Sequence, residues 1–365
     1  MEESTKVVYI INSLEVGGAE FGLCRLLTGL NSQEYDVTVL ALNSHSDRLT
    51  SKIPPWVRVV DLRLRSGIGV STIRELYSTV RTADVIVGSL YHSSMLARLC
   101  GVLQPNATIA TWHHANLFES DFRRLSFKFT SQLSDVVLAD SEPVSEMLIA
   151  DIGLDPNLVH TVPIAGIDLD EYTMVEHRDC EEITVGTVGR LSEQKNHKMI
   201  LDVAEELRDD NFRFEIAGDG ELYDTIQEEI TERDLQNVTL YGLVEDVPSF
   251  LADLDIYFQP SLWEGLCITV LEAMASGLPV VGSGVGGIGR NVEKDSSGFL
   301  YEPDNLDGFV SGIETLATDP ELRKQFGTRG RAIVKEGFTQ DMLVTEFEKA
   351  IETDSVAVES SLYSK

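Results

Sequence analysis

Short runs rich in β-branched and aromatic residues alternate with longer segments of helical periodicity along almost the whole chain. That alternation restricts the fold more than any other feature, because strand and helix in turn imply parallel sheets covered on both faces. Strands are expected near residues 7–11, 36–41, 57–60, 84–87, 107–112, 135–139 and 158–162, with helices near 19–30, 71–82, 93–103, 119–133 and 142–150. The pattern then breaks between Ile167 and Asp179 and restarts. The second series has strands near 183–188, 212–217, 238–241, 255–259, 279–282 and 298–301, and helices near 196–208, 221–233, 246–252, 267–276, 305–317, 319–336 and 339–352. A length of 365 residues suits two domains that each bury a core. The expected organisation is α/β: a doubly wound domain over residues 1–166, a second over 167–338, a helix near 339–352 returning to the first, and a frayed tail over 353–365.

Composition excludes several function classes. Sixty acidic residues against 29 basic ones give a net charge of -31, which repels nucleic acid and weakens general attraction to anionic lipid. A surface this acidic fits a protein adapted to concentrated salt, where self-repulsion is screened. Cys24, Cys100, Cys180 and Cys267 are far apart and form no C-x-x-C pair, the usage of reduced structural thiols in the cytoplasm. The N-terminal Met-Glu-Glu-Ser-Thr-Lys has no basic-then-apolar signal pattern, and no apolar run reaches spanning length. Contact with a membrane is therefore expected only from the cytoplasm and peripherally.

In open parallel sheets ligands bind beyond the carboxyl ends of strands, and the unusual residues cluster there. Glu264 falls in a loop signal after Pro260 and Ser261, and Glu272 lies eight positions on, inside the apolar run Val270, Leu271, Ala273, Met274. Either this is a core helix whose acid reaches solvent, or it is a polyol clamp, with one carboxylate at a helix N-terminus and one on its second turn. Asn12 to Glu20 contains Gly17-Gly18 at a strand-to-helix turn, where backbone N–H groups can approach a ligand. It lacks the G-x-G-x-x-G fingerprint of dinucleotide sites. Thr111-Trp112-His113-His114 places two histidines beside a tryptophan. Read as facing one crevice, they suit proton handling or hydrogen bonding to a hydroxyl. The loop Arg190-Leu-Ser-Glu-Gln-Lys195-Asn196 brings two cations to one strand end, a match for a diphosphate. Gly218-Asp219-Gly220 closes another strand end as a tight turn.

Taken together, Gly17-Gly18-Ala-Glu20, Thr111-x-His113, Gly189-Arg190-Leu-x-x-x-Lys195-Asn196, Gly218-Asp219-Gly220 and Glu264-x7-Glu272 followed by Ala-Met-Ala-x-Gly-x-Pro-Val-Val cover nearly the whole chain. They resemble the glycosyltransferase family 4 enzymes. That resemblance implies the GT-B architecture, two Rossmann-like doubly wound domains facing a deep cleft, and transfer of a sugar from a nucleotide-diphosphate donor to a hydroxyl acceptor with retention of anomeric configuration. It implies no metal and no cofactor besides the donor. It gives Arg190 and Lys195 to the donor diphosphate, Glu264 with the backbone of Gly265, Leu266 and Cys267 to the donor sugar or phosphate, and Glu272 to the ribose. Gly17, Gly18 and Gly220 would border the donor, and His113, ahead of His114, would lie near the transferring centre. The family has an acid where this chain has Arg290, preceded by Pro where it has Gly289. A non-catalytic nucleotide-sugar binding protein, or another enzyme on the same architecture such as an epimerase, is the alternative. A lipid-linked oligosaccharide or surface polysaccharide is the acceptor that the resemblance suggests.

The stretch Asn116 to Phe129 is basic and rich in aromatic residues. The i, i+3, i+7 spacing of Phe122, Leu125 and Phe129 predicts an inward core face, with Arg124 and Lys128 solvated. The alternative is a face that lies on lipid or grips a lipid-linked phosphate through Arg123, Arg124 and Lys128.

Overall fold

A computed structural model describes residues 4–15, 17–43, 47–64, 69–115, 118, 120–177, 179, 181–208 and 211–362. The chain divides into two compact units, residues 1–166 with 340–365, and residues 167–339.

In the first unit the elements run β1 (Thr5–Ile11), α1 (Gly18–Gly29), β2 (Tyr35–Ala41), α2 (Asp47–Thr50), β3 (Arg58–Asp61), α3 (Val70–Val80), β4 (Val85–Ser89), α4 (Tyr91–Leu103), β5 (Thr108–His113), α5 (Asp121–Thr130), β6 (Val136–Ala139), α6 (Glu142–Ala150) and β7 (Val159–Thr161). Its seven strands are parallel in the order β3-β2-β1-β4-β5-β6-β7. β1 and β4 are apolar on both faces, as strands between two helical layers must be. One face packs Val8, Ile10, Ile86 and Ile109 under α3 and α4. On the opposite face Trp112 stacks on Phe347.

The second unit runs β8 (Ile183–Val188), α7 (His197–Glu206), β9 (Phe212–Ala217), α8 (Tyr223–Glu232), β10 (Val238–Gly242), α9 (Val247–Ala252), β11 (Ile256–Gln259), α10 (Ile268–Ala275), β12 (Val280–Ser283), α11 (Gly286–Asn291), β13 (Gly298–Tyr301), α12 (Leu306–Thr318) and α13 (Pro320–Gly337). The order is β10-β9-β8-β11-β12-β13, again parallel. Val185, Phe214, Ile216, Phe258 and Phe309 centre its core. In both sheets the order reverses beside the first strand of the unit, between β1 and β4 and between β8 and β11. Such switch points splay adjacent loops apart and leave room for a ligand.

The closing helix α14 (Gln340–Leu362) belongs to the first unit. The sequence reading ended it at 352, whereas the backbone stays helical to Leu362, with no Gly or Pro to interrupt residues 340–362; residues 363–365 of the expected tail lie outside the described residues. α2 and α11 were not expected. The first has a single turn, and the second is built on Gly286, Gly287 and Gly289, whose poor helix propensity reads as loop.

Candidate active site

In the second unit the switch point between β8 and β11 carries the two loops that the sequence singled out. Lys195 closes a 3-10 turn after β8, and Glu264 lies in the loop between β11 and α10. Their side chains, largely buried, form an ion pair at 2.8 Å. The carboxylate accepts three hydrogen bonds, which leaves acceptor capacity on Oε2. Oε1 accepts from Lys195 Nζ and from Ser261 Oγ, both at 2.8 Å, and Oε2 accepts from Gln194 Nε2 at 3.1 Å. Ser261 is in turn held by Gln259 Nε2 at 3.0 Å, and Tyr257 Oη donates to Gln259 Oε1 at 3.2 Å. Burial by itself would lower the Lys195 pKa, but the charge of Glu264, hydrogen-bonded to it, holds it above the usual lysine value. The cation is therefore permanent. Cys267 caps α10 with φ of +57°, and burial, then Glu264, pushes its thiol up to about 12. It stays a neutral thiol 3.8 Å from Lys195 Nζ.

Glu272 sits on the second turn of α10, buried, and accepts from Tyr172 Oη at 3.1 Å. Arg331 fixes that tyrosine's backbone, donating to the Tyr172 carbonyl at 2.7 Å and to the Leu169 carbonyl at 2.9 Å. Arg190 follows β8 and is exposed. Gly265 receives a hydrogen bond from Gly287 N–H at 2.6 Å, and Leu266 is buried. A Cβ at Gly286, whose φ is +47°, would stand 2.0 Å from the Glu264 carbonyl. The glycine-rich α11 is thus a close backrest for the Glu264 loop. The structure brings Lys195, Glu264 and Cys267 into contact. Glu272 has a different partner, and Gly220 packs against Leu191.

In the first unit Gly17 is the extended N-cap of α1 and Gly18 its first residue. The two histidines do not face one crevice. Strand alternation sends adjacent side chains to opposite faces. His113 turns to the α5 side, with ring centroids 4.8 Å from Phe118 and 5.1 Å from Phe127. His114 lies with Trp112 on the other side, its Nε2 2.8 Å from Ser89 Oγ and its Nδ1 3.6 Å from Asp140 Oδ2. Burial, with smaller contributions from His114 and Arg98, lowers the His113 pKa to about 3. Its backbone partner is Ala115, and Nε2 is buried with no hydrogen-bond partner. A ring that neutral cannot serve as an acid near pH 7, but its Nε2 lone pair can accept a hydrogen bond.

Burial likewise lowers the pKa of His197 to about 4, Lys195 adding to the effect. Both folded-state values lie below the ordinary value near 6.5. As pH falls, the unfolded chain takes up these protons first. The stability the neutral rings contribute is complete above about pH 6.5 and is lost as pH falls towards 4 and then 3. The slope is at most about 1.4 kcal/mol per pH unit for each ring. His113→Phe is expected to flatten the decline in urea midpoint between pH 7 and pH 5. An unchanged slope would show that His113 does not titrate this way.

The α5 prediction fails in its facing. Phe122, Leu125 and Phe129 are 78%, 54% and 67% exposed, and Phe127 alone is buried. The reason is local: the guanidinium of Arg98 lies 4.3 Å from the Phe127 ring centroid, and Ser126 Oγ bonds Tyr91 Oη at 2.6 Å. With that side fixed, residues two or five positions away point outward at 100° per residue. Arg123 is half-buried, its guanidinium 5.1 Å from the Tyr91 ring centroid, and Arg124 and Lys128 are exposed. Asn116, Leu117 and Glu119 of the same stretch lie outside the described residues.

Sequence reasoning missed Gln194 and Ser261, which complete the Glu264 shell, and Arg98, which is fully buried without a carboxylate. Arg98 donates to Ser134 Oγ at 2.9 Å, Thr130 Oγ1 at 2.8 Å, Thr111 Oγ1 and the Phe127 carbonyl, both at 3.2 Å. Only the polar Gln194 and Ser261 flanking the two charged positions signalled this; nothing in the periodicity of α4 marks Arg98. Among the described residues no group of three or more His, Cys, Asp or Glu side chains is arranged to hold a metal ion.

The family model described as Glycosyltransferase Family 4 matches residues 16–171, and that described as Glycosyl transferases group 1 matches residues 171–333. The chain is 29% identical over 272 residues, 68% of each chain, to the UDP-Gal:alpha-D-GlcNAc-diphosphoundecaprenol alpha-1,3-galactosyltransferase of Escherichia coli. It is 27% identical over 216 residues, 58% of each chain, to a glycosyltransferase of Methanocaldococcus jannaschii. The crystal structure of Anabaena HepE in complex with UDP and glucose covers 95% of this chain and 99% of its own at 18% identity, with a TM-score of 0.82. At that identity the likeness concerns the fold.

Proposed function

The chain belongs to the glycosyltransferases that join a family 4 domain to a group 1 domain, and on that premise we propose that it transfers a sugar from a nucleoside-diphosphate donor to a hydroxyl acceptor, retaining anomeric configuration and using no metal. The observation that carries this reading is the buried Lys195–Glu264 pair at the switch point of the second sheet. Arg190 and Lys195 take the donor diphosphate, one as a planar fork and one as a permanent point charge. Glu264, already held by Ser261 and Gln194, needs no reorganisation to receive sugar hydroxyls, and the N–H groups of Gly265, Leu266 and Cys267 assist at the N-terminus of α10. Glu272 takes the ribose, with Tyr172 orienting it. His113 accepts a hydrogen bond from a hydroxyl through its free Nε2.

In the reaction the bond from the anomeric carbon to the diphosphate oxygen breaks, and the bond to the acceptor oxygen forms on the same face. The acceptor proton passes to the departing phosphate oxygen. Stabilising that growing negative charge is the largest contribution the protein makes. The relatives whose names mention a diphosphoundecaprenol-linked sugar and a poly(ribitol phosphate) support a lipid-linked or surface-polymer acceptor.

The test is a panel of nucleotide sugars with and without EDTA, read by nucleoside diphosphate release and by NMR of the product anomer. One donor is expected to turn over equally with chelator and to give the donor's own anomeric configuration. Turnover of none would leave a binding protein, and an inverted product or loss with EDTA would overturn the mechanism.

A further inference from the structure

Arg98 on α4 is a buried cation without a counter-ion. It is 1% exposed, and among the described residues every oxygen it bonds is neutral: Ser134 Oγ, Thr130 Oγ1, Thr111 Oγ1 and the Phe127 carbonyl. Taking a guanidinium out of water without a carboxylate is costly. Burial brings its pKa down to about 10, so the charge is still present at neutral pH. One partner offsets part of the cost. The Phe127 carbonyl lies in the last turn of α5, where the helix dipole favours a cation.

The bonded oxygens belong to three segments, and two of these segments hold or touch His113. Thr111 precedes it by two positions in β5, so both side chains leave the same face of the sheet. On α5, the Phe127 ring centroid lies 4.3 Å from the Arg98 guanidinium and 5.1 Å from the His113 ring. Phe118 stacks on the same imidazole at 4.8 Å. Arg98 therefore anchors both the strand that carries His113 and the ring it rests on. The bond to the Ala115 backbone raises the proton affinity of the imidazole, as a carbonyl acceptor does. Nδ1 then carries the proton, and the buried, unpartnered Nε2 is left as a lone pair. The charged and titratable groups that act on this ring are His114 beside it and Arg98 from α4, and both disfavour a second proton. α5 turns the Phe127 ring to it, and Asp140, just beyond β6, lies on the other side with His114. A carboxylate beside Arg98 would cancel its field at His113. Four neutral oxygens hold the guanidinium and leave that field intact.

We propose that Arg98 is a positioning residue for the transfer reaction, holding His113 in place as a pure hydrogen-bond acceptor for one substrate hydroxyl. This deepens the function proposed above and rests on the role given there to His113. Its chemical consequence is selectivity. Nε2 takes an O–H, and a substrate whose hydroxyl at that point is missing, methylated or replaced by fluorine leaves a buried lone pair without a partner.

Turnover of wild type, Arg98→Met, His113→Ala and the double variant closes a cycle that separates positioning from bulk stability. Arg98→Met is expected to lower kcat about tenfold, the scale of a misplaced reacting group, with donor KM unchanged. In the His113→Ala background it is expected to lower kcat no further. Histidine-labelled full-length protein, observed by nitrogen-15 NMR with His113→Ala identifying the signal, reads the ring without any nucleotide sugar. In wild type Nε2 is expected to resonate as a bare, unprotonated nitrogen, and in Arg98→Met to shift or broaden. Arg98→Gln, which lacks the charge but keeps two donors, is the milder variant with the same expected direction, and it replaces Arg98→Met if that protein does not fold. A His113 signal unchanged in the folded variant would overturn the proposal. So would an equal loss of kcat with and without His113, since Arg98 would then be only a clasp of the fold. Absence of wild-type turnover would count against the transferase reading, and the spectra would then decide on Arg98 alone.

Discussion

Glu264→Gln and Lys195→Met are each expected to lower the transfer rate by about 10²–10³-fold, the loss typical when one preorganised charge-stabilising group is removed from a dry site. The two substitutions differ in what they do to the fold. Lys195→Met strips the cation from a carboxylate that stays buried among Ser261, Gln194 and the neutral Cys267 thiol. An orphaned buried charge destabilises by about 3–5 kcal/mol. Glu264→Gln keeps the shape and leaves Lys195 beside an amide oxygen. The Lys195→Met/Glu264→Gln double variant leaves no unpaired charge, so most of the lost stability is expected to return while activity stays low. Chemical denaturation and donor turnover, read on all three variants, separate the roles. Variants that unfold more easily yet transfer at wild-type rates would make the pair a structural tie.

The parallel architecture was legible because strands buried on both faces leave near-continuous runs such as Val7 to Ile11 and Val85 to Val87, each followed by an amphipathic segment. What escaped follows from tertiary override. The six residues of α11 form a helix because Gly286 and Gly287 can press on the backbone of Glu264 to Leu266, a contact with residues far away in sequence. The facing of α5 escaped for a related reason. Helical spacing names a stripe but does not say which side of the helix the sheet takes, and Arg98, from another helix, decides in favour of Phe127.

The charged positions were easier to find than their arrangement. Lys195 and Glu264 stood out as charges at strand ends, yet nothing in the sequence says that they neutralise each other without ligand. Their contact comes from the adjacency of β8 and β11, a consequence of strand order. The histidine pair is the reverse case. A period of two residues was enough to separate His113, the last residue of β5, from His114 just beyond it, and reading them together overlooked that alternation.

Gly218→Ala is expected to cost about 3 kcal/mol of stability in the second unit and, where the fold survives, about 10²-fold in turnover. The loops after β8 and β9 are laced together by backbone bonds: Gly189 N–H to the Ala217 carbonyl at 3.0 Å, Leu191 N–H to that of Asp219 at 3.0 Å, and Leu222 N–H to that of Leu191 at 3.0 Å. A Cβ on Gly218 would sit 1.8 Å from the Gly189 carbonyl oxygen, and one on Gly220 would sit 2.5 Å from that of Leu191. Backbone cannot yield as a side chain does, so the Gly189–Leu191 segment must move, and Arg190 with it. A displacement of about 1 Å at a positioning group is enough for a 10²-fold loss. Gly220→Ala should behave the same way, more mildly. At Gly189 itself the nearest atom is Lys195 Cε at 3.2 Å, the end of a flexible side chain, and at Gly337 nothing lies within 4 Å. Gly337→Ala is therefore the control, expected to change neither thermal midpoint nor turnover. If Gly218→Ala turned over donor at the Gly337→Ala rate, the loop that carries Arg190 could shift without consequence, and Arg190 would lose its assignment to the diphosphate.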